Sequence, residues 1–586
     1  MDTPNLPRWD SAKVKARVIA YKCKWMPQKL LRKILRSINR KFGQFPKVTI
    51  SAWTEIGQKE ESINVPKQRA YTGREPIISS SLADTPCSSL GIQGLLDLLN
   101  RTIGRSYTLD TPALSSVLKD CIAKNYDFGT AYGRLRSSWD CSDIQKDLQK
   151  REAEDVTRRT NALAGSRIVE VGMKPRRVWD LYSNRVVPWW CCKVHFNLLN
   201  AAQPISHAWV DEVDRVDVQT PINGYEWPVP IPKGASLDLI RIEMLNLGLE
   251  YTWLDVLCLR QRGGPREDLR VEEWKLDVPT IGAIYRRAQV VWYLSGLGLP
   301  LSLKEGDLES EHCWFRRAWT LQELGSGWPR IAGDTPDGPL NAKPLDDAGT
   351  YKDEILTQFY QQLHSTRMTH GFYSALSAMQ NRISTNPIDK VAGLVFSTNT
   401  RSIPAYYESQ SLEDAWTALI YEMHPYLRGT LFLTYPEPGT GCKKWKPSWK
   451  QVMEKPLPNG ISPVAPDVKR DDDDWYEGPC IERGFVRGLA VGGEEGIDRC
   501  GELVIEDASR IAHALRIAAS HQYPIPEDTY TLLGSHPYSN LQHWVVGRRL
   551  PNDMFEKVSV FQITDPDERK QLGELGLAAK SRSILA

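Results

Sequence analysis

An α/β fold with a parallel-sheet core is what this sequence predicts, and three observations predict it. Between about Arg167 and Phe396, short β-rich runs alternate with helical segments, the order that builds parallel sheets. A helix-patterned region precedes this stretch, and a region of mixed helix and strand signals follows it. At 586 residues the chain is too long for one compact core, and about 150 residues per domain gives roughly three to four units.

Taken in order, residues 1–89 read as a basic N-terminal arm and linker. The first 48 residues carry 13 lysines and arginines against Asp2 and Asp10 alone. Within them, residues 28–41 place Leu31, Leu35 and Ile38 on one helical face with basic residues elsewhere. Such a helix either packs on its own protein or rests peripherally on an anionic membrane or partner. Residues 90–165 form a helical lead-in, with apolar helix spacing over Leu90–Leu99 and Leu114–Ala123 and a charged helix over Asp143–Arg159.

Residues 166–400 are the α/β domain. Strands are expected at Arg177–Tyr182, Pro204–Val210, Tyr251–Leu259 and Gln289–Ser295. A helix over Glu272–Arg287 should kink or restart at Pro279, and Ser310 should cap a helix running through Trp314 to Leu324. Residues 401–586 form an accessory region. A helix is expected at Leu412–Met423, a solvated acidic loop at Asp471–Asp474, strands at 484–491, 501–506, 544–546 and 558–563, and a helix near Ala508–His521.

Composition sets bounds on function. Lysine plus arginine number 74 against 72 acids, so no global field favours nucleic acid, and none is expected as a partner. Eleven cysteines without a C-x-x-C pair, and no apolar leader with a small-residue cleavage site, point to a reducing, cytoplasmic setting. Cys191, Cys192 and His195 lack zinc spacing, so no metal is expected. Gly439-Thr-Gly-Cys-Lys-Lys444 lacks the glycine a P-loop requires before its lysine.

Four motifs in order carry a resemblance. They are Ile205-Ser-His-Ala-Trp-Val210, Trp253-Leu-Asp-Val-Leu-Cys-Leu-Arg-Gln261, Arg317-Ala-Trp-Thr-Leu-Gln-Glu323, and Arg382 with Pro387-Ile-Asp-Lys-Val-Ala-Gly-Leu394. Together they resemble the fungal heterokaryon-incompatibility (HET) domain over roughly residues 167–450. His207 and Val210 stand where tyrosine and glycine are usual. Ala283–Ser295 followed by Trp319-Thr-Leu-Gln-Glu-Leu324 is similar to a stretch of the TIR domain, a helix, a strand ending in serine, and a Trp-Cys-x-x-Glu-Leu helix, with the same four-residue offset from tryptophan to glutamate.

The resemblance implies a TIR-like, flavodoxin-like parallel sheet and a role in non-self recognition and programmed cell death. It also implies NAD hydrolysis with Glu323 as the catalytic residue, NAD being substrate and no cofactor being needed. Ser206, His207, Trp209, Asp255, Arg317 and Trp319 are then the expected substrate-binding residues. Homo-oligomerisation through the TIR-like domain, or docking on a recognition protein, are the partners it implies.

The chemistry is coherent. Breaking the nicotinamide–ribose bond expels a neutral group from a cationic ring, so one carboxylate beside the ribose suffices to stabilise the oxocarbenium-like charge. On a helix, Trp319 and Glu323 would share a face, with Arg316 and Arg317 near a pyrophosphate. Each residue also has a plain structural role open to it. Glu323 serves equally as an ion-paired helix-end carboxylate, Trp319 as core, the arginines as solvated or paired groups, and Asp255 as a buried hydrogen-bonding group. Cys258 and Cys313 read as inert thiols. The alternative to an enzyme is a non-catalytic interaction and self-assembly module.

Overall fold

The computed structural model describes residues 76–586 except positions 111, 142, 193–201, 287, 326–328, 334–338, 347–348, 368–370, 399, 459–465, 495–496 and 537–541. The basic 28–41 segment and His195 lie outside the described residues. After a single helical turn at Ser80–Ala83 come four longer helices: α1 (Cys87–Ile103), α2 (Pro112–Ala123), α3 (Phe128–Leu135) and α4 (Ile144–Ala162). Asp127 and Asp143 start α3 and α4 by accepting from the backbone N–H groups of Thr130 and Lys146. Leu95, Leu96, Leu99, Leu118, Phe128 and Tyr132 form a separate core. In α4 only Ile144, Arg159 and Ala162 are buried, as its charged sequence requires.

A six-stranded sheet follows. Its strands are β1 (Arg177–Asp180), β2 (Arg185–Pro188), β3 (Gln203–His207), β4 (Tyr251–Trp253), β5 (Val291–Tyr293) and β6 (Arg330–Ile331). The spatial order is β6-β5-β3-β4-β1-β2. Strands β6, β5, β3 and β4 are mutually parallel, and β1 and β2 add antiparallel at one edge. The chain leaves β3 through α5 (Leu237–Asn246) to β4 on one side. It then returns through α6 (Glu267–Asp277) and α7 (Ile281–Arg286) to β5 on the other. The gap holding Pro279 between α6 and α7 is the expected helix break.

Two elements differ from the sequence reading. The Tyr251–Leu259 run is a strand only to Trp253 and then a helical turn over Asp255–Cys258, with the Asp255 carboxylate accepting from the Val256 N–H at 2.8 Å. A short, mostly apolar run does not separate these states. The helix expected from Trp314 to Leu324 is two 3₁₀ turns, Trp314–Arg316 and Trp319–Leu321, parted by an extended Arg317. Ile383 pulls the chain straight there: its N–H donates to Arg316 O, and its carbonyl accepts from the Ala318 N–H at 2.9 Å. Trp319 and Glu323 therefore do not share a helix face.

Helices α8 (Leu412–Glu422) and α9 (Pro425–Thr434) then lead to β7 (Asp474–Arg487), β8 (Arg499–Glu506), β9 (Ala512–Ala519), β10 (Asp528–Gly534), β11 (Gln542–Arg549), β12 (Phe555–Ile563) and β13 (Ala579–Ile584). Antiparallel pairing runs β7-β8-β9-β12-β11-β10 and returns to β7, so these strands close into a barrel around Leu503, Leu515, Ile517, Leu532, Val546 and Phe561. The helix expected at Ala508–His521 is strand β9, paired along its length with β8. Asp474, expected in solvent, is 2% exposed and accepts from the Trp445 indole at 3.0 Å. Lys557 in β12 is buried and donates to Phe432 O at 2.8 Å and Tyr435 O at 2.6 Å, which ties the barrel to the end of α9. Burial pushes its ammonium down to about 7. Among the described residues no helix is long and apolar enough to cross a membrane.

Candidate functional site

In an open parallel sheet, the place where successive strands depart to opposite sides of one strand leaves a crevice at the carboxyl ends. Here that strand is β3. Its last two residues, Ser206 and His207, lie opposite Trp292 and Tyr293 of β5 and run past the end of β4, whose Trp253 pairs with Pro204, and the loop carrying Glu323 reaches Ser206.

Glu323 is 8% exposed and Ser206 1% exposed. The Ser206 hydroxyl donates to Glu323 Oε2 and accepts from the Trp314 indole N–H at 2.8 Å. The Trp314 ring packs on that of Trp292, 4.1 Å between centroids and tilted by 30°, and the Trp292 indole donates to Glu323 O at 3.3 Å. Gly325, at φ 72°, turns the chain away. A side chain there would meet Val290 Cγ2 at 2.5 Å, so the loop closes against the sheet only with glycine.

His207 Nε2 lies 2.9 Å from Asp255 Oδ1, and its Nδ1 lies 3.3 Å from Ala208 O. Carboxylate and carbonyl oxygens accept, so this geometry suits an imidazolium donating from both nitrogens. Burial disfavours that charge, but the Asp255 carboxylate outweighs it and the His207 pKa is raised. Burial pushes Glu323 up to about 7, and the Asp255 charge adds to this against the Ser206 hydrogen bond.

Arg382, 5% exposed, braces the segment before Glu323 by donating to Arg317 O at 2.6 Å and Thr320 Oγ1 at 2.5 Å. Burial pushes it down to about 10, partly offset by the Glu323 charge. It stood in the fourth motif without a role, and only the fold reveals its partner.

Of the sequence-derived residues, Ser206, His207, Asp255 and Glu323 form one assembly, and the Trp209 ring lies 5.4 Å from that of His207. Arg317 and Trp319 belong to a neighbouring cluster. Trp319 hydrogen-bonds Asp389, which also accepts from the Tyr406 hydroxyl at 2.7 Å. Burial pushes Asp389 up to about 6, and the nearby Asp389 charge only partly offsets the lowering of Arg317 by burial. Arg316 turns outward to Glu309 O. Cys258 is buried with its thiol pushed up to about 12, and burial raises Cys313 as well. Trp314 and Thr320 are site residues that sequence reasoning missed.

Compared with known proteins, the chain matches no family model, no curated protein and no solved structure.

The buried carboxyl group has a measurable signature. Its pKa is raised from 4.5 unfolded to about 7 folded, so its contribution to stability is complete below pH 4.5 and lost as pH rises through 7. The span is worth about 3 kcal/mol. His207 is raised too, and it contributes in the same sense from its unfolded pKa of 6.5 upward. Thermal melts from pH 4 to 8 should show stability falling with pH in the wild type and a flatter profile in Glu323→Gln. An identical slope in both proteins would contradict a buried, protonatable Glu323.

Proposed function

We propose that this chain is a HET-type signalling protein whose TIR-like, flavodoxin-like core cleaves NAD through Glu323, and that the described structure is its closed resting form. The reading rests on the four sequence motifs and on one structural observation. A carboxyl group with a pKa near 7 sits at the carboxyl edge of the central parallel strand, bonded to a serine hydroxyl and next to a histidine–aspartate pair. Burying so many ionisable groups is a poor route to stability, and perturbed groups gathered at a sheet switch point mark functional sites.

In this reading the nicotinamide–ribose bond breaks with its electron pair leaving on nicotinamide. The Glu323 carboxylate stabilises the ribosyl cation, and water adds at the anomeric carbon with release of a proton. Arg317 is near enough to Glu323 for their charges to interact, so it is the candidate for the pyrophosphate. The Ser206 hydroxyl occupies Glu323 at rest, so the loop must open before substrate reaches it.

The low exposure of Glu323 favours a second reading, a non-catalytic self-assembly module in which the carboxyl group only holds the loop. Nicotinamide and ADP-ribose should accumulate when purified protein is clustered through a fused oligomerisation tag, and scarcely at all when it is dilute. Absence of both products under clustering would select the assembly module.

A further inference from the structure

A cavity of about 460 Å³ opens between the α2–α3 connection and the turn over Pro221–Trp227. We propose that it binds a small ligand in which an anionic group is joined to a flat ring. The proposal stands apart from the reading of Glu323. The volume lies in the range of small-molecule sites, and such sites favour junctions between separately cored regions.

Two observations define the ligand. Lys124, Asp127, Arg177 and Glu226 in the wall are each paired, with Asp120, Arg185, Glu273 and Arg260 respectively. Arg134 is the exception: among the described residues no carboxylate meets it, and its guanidinium lies against the rings of Tyr126 at 5.4 Å and Trp190 at 5.1 Å. A planar cation held between aromatic rings, its charge unspent, suits a bidentate carboxylate or phosphate.

Tyr225 supplies the ring partner. It is 58% exposed and adopts φ 59°, a conformation bulky residues rarely take. Glycine or asparagine would make the same turn with less strain, so the aromatic ring has a use there beyond the turn.

The wall is preformed. Trp227 is buried and its indole donates to Val256 O at 3.0 Å, while Gly264 approaches so closely that a Cβ there would sit 2.3 Å from Glu226 O. Little ordering remains for binding to oppose.

Calorimetric titration of the full chain with adenosine monophosphate, indole-3-acetate and inorganic phosphate tests this and separates the phosphate and carboxylate sources. At least one organic probe should bind with Kd of about 100 µM or below, and inorganic phosphate at least about tenfold more weakly, because it lacks the ring. Arg134→Leu and Tyr225→Gly should each weaken that probe about tenfold or more. Arg134→Lys, which keeps the charge and loses the planar fork, should fall between. Tyr225→Gly should melt no lower than wild type, since glycine relieves the backbone; that separates lost binding from lost folding. The same affinity in Glu323→Gln would place binding away from that carboxyl group. No saturable binding of either organic probe up to about 5 mM, or an affinity unchanged in both Arg134→Leu and Tyr225→Gly, overturns the proposal.

Discussion

Replacing Glu323 by glutamine is expected to lower nicotinamide release by clustered protein about 10²–10³-fold, the scale on which one well-placed electrostatic group acts in a transition state. The amide keeps the shape and can still accept from Ser206, so the loop should stay folded. What it cannot supply is the negative charge that meets the ribosyl cation. The wild-type rate should rise with pH as the carboxylate forms, and in the open form the rise should come below the value of about 7 that burial sets in the closed one. Separated products measured from pH 5.5 to 8.5 check both statements. Equal rates in the two proteins would remove Glu323 from the chemistry, whatever cleaves the bond.

Arg136→Ala should be among the most destabilising single changes in the lead-in, costing about 3–5 kcal/mol. Arg136 is 10% exposed and Asp180, in β1, is fully buried; two parallel hydrogen bonds of 3.0 and 2.9 Å join them. The guanidinium also meets Glu250 at 2.5 Å and lies against the ring of Tyr251 at 4.8 Å. Truncation strands the Asp180 charge between α3 and the sheet. Urea unfolding should show the loss, and adding Asp180→Asn should recover part of it, because the stranded charge goes too. Single and double variants within about 1 kcal/mol of wild type would mean that water reaches Asp180.

Much of this architecture can be read from the sequence where one rule acts alone. The spacing of β-rich runs located β1, β3, β4 and β5, and the charged pattern over Asp143–Arg159 located α4. Reading failed where tertiary partners overrule local preference. Alanine and arginine in Ala512–Ala519 favour a helix, yet Leu515, Ile517 and Ala519 alternate inward and pair with β8. The 314–324 segment has helical spacing, but Ile383 extends Arg317 and splits it. The site was legible as a set of residues and not as an arrangement. Ser206, His207, Asp255 and Glu323 were all named, but only the fold brings Glu323 to Ser206 and His207 to Asp255, and only it parts Trp319 from Glu323.

The length of β7 governs how the C-terminal barrel can assemble. Its second half pairs with β8 and β10, but its first half, Trp475–Cys480, pairs along one side with β13, far later in the chain. Contacts of such long sequence separation form slowly, because a large loop must close first. Until Ala579–Ile584 arrives, the start of β7 offers a row of open hydrogen-bonding groups to any other strand. Late docking of β13 therefore lengthens the time for which that edge stays open to aggregation, however stable the finished barrel is.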